Sequence, residues 1–193
     1  MSVPVSKAAG RRRGPRRDAL DNRDRVLAAA TIAVRREGVA VPMATIAADA
    51  GVGVGTVYRH FPSRDALLGA LAHRSAEMVL DTARSAAAGD RPPLDAIRAF
   101  LYQTIRHGKE LVLPMQSGQP LTDPATKAVM AEVHRTLDSL ISQGRDNGTI
   151  RAEISKADVV VFGALLTQQL PQAGNWPQAA RRLADIFIAG LQP

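Results

Sequence analysis

Apolar residues recur at intervals of three and four along most of this chain, which is the spacing of one buried helix face. Glycines and prolines interrupt the pattern where helices would end or begin. Three short helices and a long one are predicted first, and further helices follow, so we expect an all-α fold of about nine helices. Eight predicted helices begin near Asn22, Pro42, Val54, Ser63, Pro93, Asp123, Ser155 and Pro177, and the segment from Lys109 to Thr122 is either a loop or a broken helix.

One apolar segment could also be read as a strand. Val159-Val160-Val161-Phe162 is β-branched and apolar enough for a buried strand. However, the apolar pattern continues through Leu165 and Leu166 to Leu170 with no turn signal between them, which favours a helix from Ser155 to Leu170.

Positive charge is concentrated in the first part of the chain. The whole chain carries a formal net charge of +7, and up to Arg74 there are 13 Lys+Arg against 6 Asp+Glu, while the remainder has 12 of each. A basic front portion next to a neutral remainder predicts contact with a polyanion, nucleic acid first and an anionic membrane surface second.

Several classes of protein and site are disfavoured by composition. The chain has no cysteine, which excludes disulfides and thiolate metal sites. Its longest apolar run, Val159 to Leu166, is too short to cross a membrane, and no apolar stretch follows the basic N-terminus, so we expect a cytoplasmic protein. The four histidines lack metal-ligand spacing and no nucleophilic or acid–base cluster is evident, so we expect no metal, no cofactor and no enzymatic activity.

Residues 1–20 form a basic segment with few side chains to bury, and we expect a disordered arm. A solubilising tail is the alternative interpretation. Its cationic side chains include Arg11, Arg12, Arg13, Arg16 and Arg17.

A helix-turn-helix is predicted over residues 43–61. Two short helices flank the turn Gly51-Val52-Gly53. A helical wheel of the second helix places Val54, Val57 and Phe61 in one inward sector. Its opposite side carries a hydroxyl, a phenol, a guanidinium and an open backbone position, from Thr56, Tyr58, Arg59 and Gly55. This outer side suits a helix in a major groove.

Two residues of this region are unfavourable for an isolated helix. Gly55 lowers helix stability and adds no packing, which favours close approach to a DNA backbone over mere tolerance of glycine at a solvent-facing position. Arg64 opposes the dipole of the next helix unless an anion such as phosphate lies nearby. A surface arginine with no role is the alternative for Arg64.

The run Ile46-Ala47-x-x-Ala50-Gly51-Val52-x-x-Gly55-Thr56-Val57-Tyr58-Arg59-His60-Phe61-Pro62-Ser63-Arg64-x-Ala66-Leu67-Leu68 resembles the DNA-binding signature of TetR-family transcriptional regulators. The resemblance implies a DNA-binding domain over 21–80 and an effector-binding and dimerisation domain over 81–193. It also implies a homodimer on a palindromic DNA operator, with arm arginines along the minor groove. By motif position, the DNA-facing residues would be Ala44, Thr45, Val54, Gly55, Thr56, Tyr58, Arg59, His60 and Arg64. Pro42 departs from the family, which often has Thr or Ser there.

The neutral C-terminal portion is expected to pair two copies and to hold a small molecule. Its last two helices are apolar on more than one side, which favours a four-helix contact between copies over complete burial in one subunit. We expect the dimer interface to contain Val159, Phe162, Leu166, Leu170, Leu183, Ile186 and Phe187. The resemblance places an effector pocket near Tyr102, Gln103, His107, Gln116, His134 and Gln168, although each of these could be ordinary surface or a satisfied core group.

The sequence therefore predicts a DNA-binding transcriptional regulator, a repressor released from its operator by an unidentified small molecule. A protein that coats DNA without sequence preference is the main rival, and an enzyme is the other. A coating protein would not need about a hundred further neutral residues, and an enzyme is disfavoured because the sequence shows no metal-ligand spacing and no nucleophilic or acid–base cluster.

Overall fold

The computed structural model of the chain describes residues 15–112, 123–168, 170 and 174–193. Within these ranges there are eight α-helices and no strand, so the all-α prediction is confirmed. The segment 159–162 is helical, as predicted. The helices are α1 (Pro15–Glu37), α2 (Met43–Ala50), α3 (Val54–His60), α4 (Arg64–Ala87), α5 (Pro93–His107), α6 (Pro124–Asp146), α7 (Lys156–Leu166) and α8 (Trp176–Gly190).

Helix α1 begins earlier than the sequence pattern indicates. It starts at Pro15, not near Asn22. The expected arm of residues 1–20 therefore overlaps the helix. Proline is well accommodated in a first helical turn, where no partner for its missing amide is needed. Gly38, with φ 86°, follows the end of α1.

The first apolar core joins α1, α2, α3 and the beginning of α4. Val26 of α1, Ile46 of α2 and Val57 of α3 are almost fully buried in it, together with Leu67 of α4. Val112, more than forty residues further along the chain, also belongs to this core. The helix-turn-helix is thus one packed unit with α1 and α4.

The second core lies between the remainder of α4 and helices α5 to α8. Val79 and Ala83 of α4 pack here with Ile97 and Leu101 of α5 and with Leu137 of α6. Helix α4 therefore contributes to both cores and joins them. None of the described helices is both long and apolar enough to cross a lipid bilayer.

The last two helices have well-defined starts. Ser155 and Asp158 form a reciprocal capping box at the beginning of α7, and Asn175 caps α8. Helix α7 ends at Leu166 and not at Leu170, because Thr167 closes it with a backbone bond to the carbonyl of Ala164.

Candidate DNA-binding surface

The turn between α2 and α3 depends on Gly51. This residue has φ 63° and ψ 38°, a left-handed conformation in which glycine avoids the cost of a side chain. The amide of Gly51 donates to the carbonyl of Ala48, and that of Val52 donates to the carbonyl of Ala47. This pair of bonds is a Schellman motif, which ends α2 and directs the chain into α3.

Arg25 of α1 fastens this turn to the rest of the domain. Its Nη2 donates to the carbonyl oxygen of Ala50 at 2.6 Å and to that of Gly51 at 3.2 Å. A Cβ on residue 51 would lie 2.9 Å from the same nitrogen, so Arg25 would have to move away from the turn to admit one. The sequence analysis did not find this contact, because nothing in the local pattern connects residue 25 with residue 51.

The inner side of α3 is packed against the first core. Val57 is fully buried and Phe61 is 3% exposed, as the helical wheel predicts. The guanidinium of Arg23 lies 5.5 Å from the centre of the Phe61 ring. Val54 differs from the helical-wheel prediction, since 45% of its surface is exposed. A wheel gives direction around an axis but not position along it, and the first turn of α3 lies beyond the edge of the core.

The outer side of α3 forms an exposed surface with the neighbouring helix ends. Tyr58 is 49% exposed, Gly55 and Arg59 are also exposed, and Thr56 and His60 are half-buried. At Gly55 an added Cβ would meet no atom of the chain within 4 Å. No packing requirement within the described chain therefore explains this glycine.

The starts of α2 and α4, the helices before and after α3, carry the remaining residues expected to face DNA. Ala44 is exposed and Thr45 is half-buried in the first turn of α2. Arg64 is exposed at the first position of α4, where the Ser63 hydroxyl accepts a hydrogen bond from the amide of Ala66 at 3.1 Å. Pro42 makes no side-chain cap for α2. The surface therefore combines a guanidinium with helix-start amides, both of which suit phosphate.

The arginines expected in the arm fall into two groups. Arg11, Arg12 and Arg13 lie outside the described residues. Arg16 and Arg17 belong to α1, whose backbone is helical from Pro15 onward, so these two positions are not in an extended arm.

The structure brings together two of the residues expected in an effector pocket. Gln103 and His107 of α5 line a cavity of about 360 Å³ with Met78 and Asp81 of α4. The Nδ1 atom of His107 has no hydrogen-bond partner and lies 3.5 Å from the carboxylate of Glu110.

Of the other expected pocket residues that the structure describes, Tyr102, His134 and Gln168 do not line this cavity. The Tyr102 hydroxyl donates to the carboxylate of Asp185 at 2.7 Å, and this hydrogen bond raises the pKa of Tyr102. His134 and Gln168 are half-buried elsewhere, on α6 and after α7, and Gln116 lies outside the described residues.

The expected dimer residues are divided by their burial. Val159 and Leu166 are buried within the subunit's own core, at 0% and 3% exposure, so in this subunit they present little surface to a second copy, and their place in a dimer interface stays a prediction. Phe162 and Phe187 stack on each other with ring centres 4.1 Å apart and are half-buried. A strongly apolar helix shows several candidate faces, and only its packing partner decides which face turns inward.

The side of α7 and α8 that remains exposed is apolar. Its residues, with Leu170 just after α7, are Val161, Leu165, Leu170, Leu183 and Ile186, each between 42% and 68% exposed. Val161 and Leu165 were not among the expected dimer residues. They lie on a different side of α7 from Val159 and Leu166, which are buried in the core.

Comparison with known protein families matches two separate parts of this chain. Residues 26–71 match the family model of bacterial regulatory proteins of the TetR family. Residues 92–193 match the model of the C-terminal domain of SbtR-like transcriptional regulators.

Individual relatives agree with these matches. The HTH-type transcriptional repressor KstR from Mycobacterium tuberculosis is 32% identical over 133 residues, which cover 66% of this chain but only 60% of KstR. A TetR regulatory protein from Mycobacterium vanbaalenii is 29% identical, with a TM-score of 0.59 and coverage of 93% of this chain and 100% of the other. AibR, solved in complex with isovaleryl coenzyme A and operator DNA, is 18% identical and shares the fold with a TM-score of 0.71 over 89% of this chain and 98% of its own. The chain therefore belongs to the TetR family of bacterial regulatory proteins and has an SbtR-like C-terminal domain.

Proposed function

We propose that this chain is a dimeric transcriptional repressor that binds a palindromic DNA operator and leaves it when a small molecule binds the C-terminal domain. The observation that carries this proposal is the division of α3. Val57 is fully buried, whereas Tyr58 and Arg59 beside it are exposed together with Gly55. A short helix with this division can enter a major groove without disturbing the core behind it.

The exposed apolar side of α7 and α8 supports the dimer. Five large apolar residues, with Ile186 at 68% exposure, stand open to solvent in one subunit. A second copy would cover them and hold two α3 helices about 34–36 Å apart, the distance between successive major grooves on one side of DNA.

The relatives support both ligands of the proposed repressor. KstR is described as a repressor, and AibR was solved with operator DNA and isovaleryl coenzyme A. Since α4 belongs to both cores of this chain, a ligand that shifts its C-terminal portion would change the spacing of the α3 helices. An operator is chromosomal DNA, which places the proposed action in the bacterial cytoplasm, and the proposal includes no enzymatic activity.

The first experiment measures binding to palindromes selected from genomic DNA. Tyr58→Phe removes only the phenol hydroxyl, and loss of one phosphate or base contact should weaken operator binding about 5- to 30-fold. Thr56→Ala should have an effect of similar size. Both variants should remain dimers with unchanged melting temperature. Full affinity in both variants would contradict the assignment of α3 as the DNA-reading helix.

Salt dependence separates the proposed repressor from a general DNA-coating protein. Deletion of residues 1–17 should reduce the slope of log affinity against log salt concentration if the arginines there contact phosphates. Equal affinity of the full chain for the palindrome and for random duplexes would instead support the coating protein.

A further inference from the structure

A second cavity, of about 300 Å³, lies where the ends of α5 and α7 meet the start of α8. Ile105, Leu166 and Trp176 contribute apolar lining, and Arg106, Lys109 and Arg181 contribute three cationic side chains. No carboxylate is among the described residues that line it. A cavity of this size can hold a compact organic molecule.

The cations of this cavity have little internal compensation. Within the described part of the chain, Arg106 and Lys109 make no ion pair, and the guanidinium of Arg181 lies over the ring of Tyr102 at 5.7 Å. Clustered like charges repel one another, and an anion placed among them would gain charge-assisted hydrogen bonds. The cavity therefore favours a negatively charged group.

The apolar part of the cavity is held in place. The indole Nε1 of Trp176 donates to the carbonyl of Leu166 at 3.1 Å, so the polar atom of the ring is satisfied. The half-buried ring lines the cavity and contributes apolar surface to it. Cationic and apolar contacts are thus available in one cavity, which suits a molecule that has an anionic part and an apolar part.

The walls of this cavity also contact the DNA-binding domain. The carbonyl of Thr167, a lining residue, accepts from Nη2 of Arg35 at 3.4 Å, and the carbonyl of Leu111 accepts from Nη1 of the same residue at 2.9 Å. Arg35 belongs to α1. A Cβ on Gly108 would lie 3.5 Å from the Thr167 Cα, so the ends of α5 and α7 are in close contact beside the cavity.

The segment after α5 connects the two cores directly. Leu111 is buried in the C-terminal core, whereas its neighbour Val112 is buried in the N-terminal core. The amide of Val112 donates to the hydroxyl of Ser75 on α4 at 2.9 Å. The segment after α5 is therefore hydrogen-bonded to both α1 and α4.

We propose that the cavity between α5, α7 and α8 binds an amphipathic organic anion, with its charged group on Arg106, Lys109 and Arg181 and its apolar part against Trp176. Binding there moves the carbonyls that Arg35 holds and so changes the position of α1. The coupling of anion binding to the position of α1 deepens the proposed repressor function and rests on it. The binding of the anion itself does not depend on that function.

Fluorescence of Trp176 tests the binding step, because the chain contains one tryptophan. Decanoate, used below its micelle-forming concentration, should change this emission in a saturable way. It should bind at least ~10-fold more tightly than decanol, which has the same tail without the charge. Decyl phosphate distinguishes a phosphate from a carboxylate head group, and preference for either anion supports the proposal. Equal affinity for decanol and both anions would overturn it.

Charge variants locate the anion. Arg106→Gln combined with Arg181→Gln should weaken binding of the preferred anion about 10-fold or more, with unchanged far-ultraviolet circular dichroism. Arg135→Gln, an exposed cation on α6 that does not line the cavity, is the matched control and should bind normally. An equal loss in the control would show that only net charge matters and would exclude this site.

The coupling step is measured on operator DNA. The preferred anion should lower the operator affinity of the parent chain. The Arg35→Gln variant should still bind the anion, but the anion should change the logarithm of its operator affinity by no more than half as much as in the parent. An unchanged response in Arg35→Gln would exclude Arg35 as the link. A chain that binds the anion but no palindrome would contradict the repressor function and leave the cavity assignment intact.

Discussion

At the scale of single residues, Gly55 carries a conflict between stability and function. It is exposed in α3, and a methyl group on its α-carbon would meet nothing in the subunit. Gly55→Ala should therefore raise the free energy of unfolding by about 0.5–1 kcal/mol. The same methyl group should weaken operator binding, because it would stand between the helix backbone and the duplex. Chemical denaturation and operator titration of one preparation measure the two opposite effects.

Gly69 provides the matched control for this prediction. It is exposed in α4, and a Cβ there would also meet no atom within 4 Å. Gly69→Ala should stabilise the chain by a similar amount without changing operator affinity. Parent-like operator binding by Gly55→Ala would refute the close approach of α3 to DNA.

At the scale of elements, the α2–α3 turn depends on the left-handed conformation of Gly51. Gly51→Ala would force a Cβ into an unfavourable backbone region and to within 2.9 Å of Arg25 Nη2. We expect a loss of about 1–2 kcal/mol in unfolding free energy, measured by denaturant titration. Gly53→Ala, in the same turn but with φ −69° and open space around it, should cost less, because it loses only the N-cap preference for glycine over alanine. Equal losses in the two variants would mean that the turn geometry is not the cause.

The starts of α6 and α7 should make stability depend on acidic pH. Hydrogen bonds from Thr126 lower the pKa of Asp123, and those from Ser155 lower the pKa of Asp158. Lowered native values mean that the stabilisation is complete above the unfolded-state pKa of about 3.9 and is lost as pH falls through the native values. Between about pH 5 and about pH 3, the melting temperature of the Asp123→Asn, Asp158→Asn double variant should fall by less than that of the parent. A parent-like loss would assign the acid sensitivity to other carboxylates.

At the scale of the whole molecule, the exposed apolar side of α7 and α8 should control assembly. Ile186→Glu together with Leu165→Glu would place two carboxylates in the proposed interface, and we expect dimerisation to weaken at least ~100-fold. Sedimentation velocity at several concentrations measures this change. Ile32→Glu, on an isoleucine of α1 that is 61% exposed, should leave the mass unchanged. A dimer that survives the double variant would place the interface elsewhere.

Local sequence was sufficient to predict the helices, the helix-turn-helix and the burial of Val57 and Phe61. Helical periodicity and helix ends are properties of residues that lie within about four positions of one another, and a single sequence displays them directly. The outer surface of α3 followed from the same periodicity. Only the position of Val54 along the helix, beyond the edge of the core, escaped it.

Tertiary structure alone decided how these helices are joined and which side of α7 faces water. Arg25 holds a turn 26 residues away, and Arg35 reaches carbonyls 76 and 132 residues away. Contacts between such distant residues leave no periodic signal in the chain. Helix α7 is apolar on several sides, so its pattern did not distinguish buried Val159 from exposed Val161. Packing made that choice, because a helix turns inward the side that its neighbours can cover.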